Sequence, residues 1–118
     1  MDTEQFLAIV KNALEDKKAT NIKVLDVRKI SSITDFMIIA TGQTGRQVIA
    51  LAQHVIEKAK AQGQRPLGKE GTQVGEWALV DLNDIIVHIM QPQTRDFYQL
   101  EKLWSEMGKN SSPTEMFI

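Results

Sequence analysis

Between residues 6 and 14 the apolar side chains Phe6, Ile9, Val10, Ala13 and Leu14 recur at steps of three and four. That spacing predicts an amphipathic helix from about Asp2 to Lys18 with one stripe facing a core. Thr3 is the expected cap, Asp2 and Glu4 suit the positive end, and Lys17 and Lys18 suit the negative end. Two β-rich runs follow, Ile22–Val27 and Phe36–Ala40, the second led by Asp35. The second run is apolar without a break, which predicts a strand covered on both faces and central in its sheet. Gly42–Gln43–Thr44–Gly45 then turns the chain into a long helix ending near Gln62, with Gly63 as its stop. Its expected buried stripe is Val48, Leu51, Ala52, Val55, Ile56 and Ala59. After an extended, glycine-bearing stretch (Arg65–Gly75), Glu76–Asp81 and Ile85–Met90 read as a hairpin around Leu82–Asn83. A last helix is expected from Thr94 to about Met107. The order α-β-β-α-β-β-β-α predicts a single α/β domain over residues 1–107, a mixed sheet with helices packed on it. Residues 108–118 are expected to form a mobile tail, polar until its last three positions.

A two-residue loop at Leu82–Asn83 pairs Asp81 with Asp84, Leu79 with Ile86 and Trp77 with His88. One face of the hairpin then holds Ala78, Val80, Ile85, Val87 and Ile89, which suits packing beneath a helix. The other collects Trp77, Leu79, Ile86, His88 and Met90, with Asp81 and Asp84 at its rim. On the last helix, Phe97, Leu100, Leu103, Trp104 and Met107 share one apolar stripe, and Trp104 is assigned to the core. Tyr98 falls outside that stripe, beside Glu101, Lys102 and Ser105. Trp and Tyr combine large area with few rotatable bonds and commonly anchor interfaces. The plainer alternative puts Trp77 in the core, packs Tyr98 against a loop and makes His88 a cross-strand partner of Trp77.

Composition narrows the chemistry. The 118 residues carry 14 Lys+Arg against 15 Asp+Glu and no Cys, a formal charge of −1. Thiol catalysis, thiolate zinc sites and a disulfide framework are excluded. General nucleic-acid binders carry a basic excess, and this chain has none. No apolar run reaches the ~20 residues needed to cross a bilayer, and the acidic start is unlike a signal peptide, so the cytoplasm is the expected compartment. His54, opposite the buried stripe of its helix, reads as solvated.

Several stretches together resemble the ribosomal silencing factor family, also called Iojap-like. They are Leu25–Asp26–Val27, Ser31–Ser32–Ile33–Thr34–Asp35, Ile38–Ile39–Ala40–Thr41–Gly42 and Glu70–Gly71. With them come Glu76 to Leu82, Asp84 to His88, and Arg95 to Trp104. The resemblance spans about residues 3–104 in order, and it implies a nucleotidyltransferase-like fold without a catalytic role or cofactor. It further implies a translation repressor that binds protein fourteen of the large ribosomal subunit and blocks joining of the small subunit when nutrients fall. Self-association when free is also implied. Trp77 matches the family's hairpin tryptophan and Tyr98 the aromatic of its last helix. The expected partner-binding residues are Trp77, Tyr98, Leu79, His88, Asp81, Arg95 and Glu101. Lys69, Arg65 and Arg95 read as solvated charge, with a minor contact to ribosomal RNA as the other reading.

Two rival readings stay open on sequence grounds. Asp26, Asp35, Asp81 and Asp84 could hold a divalent metal for nucleotidyl transfer, although no Gly-Ser pair precedes a close carboxylate pair. Gly42–Gly45 has the spacing of the phosphate-clamping loop of KH domains, with Arg46 beside it but no basic cluster. A single GxxG is weak evidence, because glycines commonly turn a strand into a helix.

Overall fold

A computed structural model describes residues 2–100 and 102–103. Helix α1 covers Thr3–Asp16, strand β1 Thr20–Asp26, β2 Phe36–Thr41, helix α2 Gly45–Ala61, β3 Gly68–Glu70, β4 Trp77–Asp81, β5 Ile85–Met90 and helix α3 Pro92–Tyr98. The five strands form one sheet in the order β1-β2-β5-β4-β3. Among the described residues only β2 and β5 run parallel; every other neighbouring pair is antiparallel. Both members of the parallel pair are interior and buried at every position, as expected for strands covered on two sides.

Helices α1 and α2 cover one face. Phe6, Val10, Ala13 and Leu14 of α1 meet the α2 stripe from Val48 to Ala59 over Ile38, Ala40, Val80, Val87 and Ile89. The other face carries a smaller cluster in which Val27, Met37, Ile39, Met90 and Leu100 are buried and Leu25, Ile30 and Trp77 pack on its margin. No helix among the described residues is long and apolar enough to cross a membrane.

Four expectations require correction. Asp2, not Thr3, caps α1: its carboxylate accepts from the Gln5 amide at 2.7 Å while the Gln5 side chain accepts from the Asp2 amide, a reciprocal box. Thr3 instead reaches Asp84 Oδ2 at 3.4 Å. The hairpin turns one residue later than expected. Leu82 donates to the Ile85 carbonyl and Asn83 takes a positive φ of 73°, so Asn83–Asp84 form the loop. Trp77 therefore pairs with Met90, Leu79 with His88 and Asp81 with Ile86, a slip of two that leaves every side chain on its expected face. His54 is not simply solvated, since its Nε2 lies 3.5 Å from Asp16 Oδ2 and joins α2 to α1.

The last correction concerns the final helix. It begins at Pro92 and is broken at Gln99, whose φ and ψ of 48° are left-handed, and Leu100, Lys102 and Leu103 are helical again beyond the break. The break resets the helical phase. Leu100 is buried, but Phe97, expected on the same apolar stripe, is 79% exposed. Glu101, Trp104, Met107 and the tail 108–118 lie outside the described residues.

Candidate functional site

Along β4 the exposure alternates: Trp77, Leu79 and Asp81 are half-buried, while Ala78 and Val80 point into the helix layer. Period-two alternation thus leaves the Trp77 ring on the thinly covered face. Its Nε1–H donates to His88 Nδ1 on the neighbouring strand at 2.9 Å, with ring centroids 5.7 Å apart. Tyr98 comes from α3, and its ring centre lies 4.7 Å from that of Trp77 at a tilt of 51°. Phe97 meets Tyr98 edge-on at 4.9 Å. The four rings run outward from a fully buried histidine, through half-buried Trp77, to Tyr98 at 49% and Phe97 at 79% exposure. Separations of 4.5–7 Å with tilted planes are the favourable geometry for aromatic pairs.

The backbone around this row is held from two sides. Before Trp77, the Glu76 carbonyl accepts from the Gln91 amide at 3.1 Å, and Gln91 Nε2 donates to the Gly75 carbonyl at 2.8 Å. Gly71, at φ +69°, lies so close that a Cβ there would sit 2.0 Å from the Trp77 carbonyl oxygen. Beneath α3, Arg95 is 7% exposed and its Nη1 donates to Thr41 Oγ1 at 2.7 Å, tying the helix to the end of β2. The reading of Arg95 as solvated charge is therefore corrected; the guanidinium is a buried brace.

The expected partner-binding residues separate into groups. Trp77 and Tyr98 are brought together at the surface, and Leu79 lies half-buried opposite His88. His88 and Arg95 lie behind that surface. Asp81 is at the far end of β4, roughly 13 Å from Trp77 at ~3.3 Å per residue. It accepts from the Asn83 amide at 2.9 Å, closing the turn. Phe97 was missed because the 3.6-residue stripe absorbed it, and Gln99 gives no glycine or asparagine stop signal.

Asp26, Asp81, Asp84 and Gly42, among the residues that prompted rival readings, have local work. Asp26 accepts from Arg28 Nε at 2.9 Å and from the Arg28 amide, bonds that hold its carboxyl below the usual carboxylate range. Among the described residues, no group of three His, Asp or Glu side chains could hold a metal ion. A Cβ on Gly42 would meet Val48 Cγ2 at 2.8 Å, and Thr44 caps α2 by accepting from the Gln47 amide at 3.1 Å. The loop is thus a tight strand-to-helix joint.

Comparison with known proteins adds the lineage. Residues 1–116 match the family described as "Ribosomal silencing factor during starvation". A protein of Haemophilus influenzae named ribosomal silencing factor is 50% identical over 92 residues, 78% of this chain and 90% of that one. Its namesake in Chromobacterium violaceum is 44% identical over 104 residues, 88% of this chain and 85% of that one. A crystal structure of a C. violaceum protein superimposes with a TM-score of 0.87 at 44% identity, covering 89% of this chain and 88% of that one. A single mixed-sheet α/β domain is common to both folds, and the chain belongs to the ribosomal silencing factor family, whose members regulate translation in association with the ribosome.

Proposed function

We propose that this protein docks its Trp77–Tyr98 surface on protein fourteen of the large ribosomal subunit and thereby blocks joining of the small subunit during nutrient limitation. The observation that carries this reading is the 4.7 Å Trp77–Tyr98 contact, made at the surface by rings from separate elements and flanked by exposed Phe97. Clustered aromatics of this kind supply most of the binding energy in many protein interfaces. The near-neutral charge suits an anchor made of protein more than one made of RNA phosphate.

Silencing then needs no chemistry. The domain has a radius of gyration of 13.2 Å and extents of 36 × 35 × 21 Å, a body large enough to occupy a subunit contact. Binding competes with subunit association by mass action. Before docking, the same apolar patch gives two free copies a surface on which to associate.

Light scattering of purified subunits gives the direct test. Wild-type protein should lower the scattering increase on mixing, in proportion to its occupancy of large subunits. Trp77→Ala with Tyr98→Ala should abolish that effect and binding to protein fourteen while far-UV circular dichroism stays native. Full silencing by the folded double variant would refute the assigned surface.

A further inference from the structure

His88 is a polar group in a place built for an apolar one. It sits in the middle strand between Ile39 of β2 and Leu79 of β4, with no exposed surface. Its Nε2 finds no hydrogen-bond partner among the described residues. Because an indole can only donate, the 2.9 Å bond from Trp77 Nε1 makes His88 Nδ1 the bare nitrogen and leaves the ring proton on Nε2. A buried N–H without an acceptor costs stability, and an aliphatic side chain would fill the same space without that cost. The polar contact that sets His88 apart from an aliphatic residue here is the one to the tryptophan.

We propose that His88 is a positioning residue for the docking surface, fixing the Trp77 ring in the orientation against which Tyr98 packs. The inference rests on the docking reading above, while its physical claim about the ring stands apart from it. Trp77 is half-buried at the end of a strand, on the margin of the smaller cluster, so solvent borders part of its ring. A hydrogen bond to an acceptor embedded in the central strand selects one orientation of the ring before any partner arrives. Ordering the ring in advance removes part of the entropy cost of docking, which is how preorganisation raises affinity. Burial keeps the imidazole neutral, with a pKa pushed down to about 4, so the acceptor is present near neutral pH.

The test pairs His88→Leu and His88→Met with His88→Gln, whose side-chain carbonyl can again accept from the indole. Three quantities are read: the thermal midpoint, hydrogen exchange of the Trp77 indole N–H assigned with Trp77→Phe, and affinity for purified large subunits. The apolar variants should keep or raise the midpoint, exchange the indole proton about tenfold faster, and bind subunits roughly tenfold more weakly. His88→Gln should recover part of the protection and of the affinity. Unchanged indole protection overturns the proposal. So does an affinity within about twofold of wild type, a loss of affinity that merely follows a lowered midpoint, or failure of both apolar variants to fold. If Trp77→Ala itself binds subunits normally, the docking reading fails, and the exchange measurement still decides whether His88 holds the ring.

Discussion

At the scale of single residues, His88 ties stability to pH in a direction that follows from its burial. The native state holds its pKa near 4, against 6.5 for the free side chain. Between those values the unfolded chain takes up a proton that the native state refuses, so stability falls on acidification. The penalty is absent above about pH 6.5 and approaches its full size, about 3 kcal/mol, below pH 4. Urea unfolding at pH 7 and pH 5 should show a loss of roughly 2 kcal/mol in wild type. His88→Leu should lose that much less across the same interval. An equal loss in both proteins would mean that other groups carry the pH dependence. Arg95 gives the complementary case: a cation in the sequence that looks solvated turns out to brace α3 through Thr41. Periodicity could not reveal this, because hydrophobic spacing does not report which polar side chains are turned inward.

At the scale of elements, most of the fold was legible because its signals were redundant. The α2 stripe from Val48 to Ala59 and the unbroken run Phe36–Ala40 agreed with their flanking turn residues, and both formed. The hairpin was misplaced by one residue at its turn, yet its faces were right, since a slip of two preserves side-chain parity. The break after α3 was illegible, because the left-handed residue is Gln99, which has no strong preference for that conformation. The loop from Gly71 to Gly75 offers a sharper test of element packing. Gly71→Ala combines φ +69° with a Cβ 2.0 Å from the Trp77 carbonyl, and it should cost more than about 3 kcal/mol. Gly63→Ala, at φ +78° with nothing within 4 Å, should cost only about 1 kcal/mol. Chemical denaturation of the two variants compares a steric clash with torsional strain alone.

At the scale of the whole molecule, a charge of −1 and the proposed aromatic dock predict weak salt dependence. Large-subunit affinity should fall by less than about tenfold between about 50 and 200 mM salt, whereas an anchor on six to ten phosphates would lose about 10³–10⁵. Filter binding across that range distinguishes the two. Strand order carries a further consequence for when the aromatic row can form. β5 occupies the middle of the sheet although only α3 follows it among the elements. His88 and Tyr98, both part of the aromatic row, are therefore contributed by elements that follow Trp77 and β4 in the chain. A chain that stops short of β5 has β1 and β2 but lacks the strand that joins them to β4 and brings Trp77 to its partners. The row of rings is thus a late product of folding, complete only when β5 and α3 have both joined the sheet.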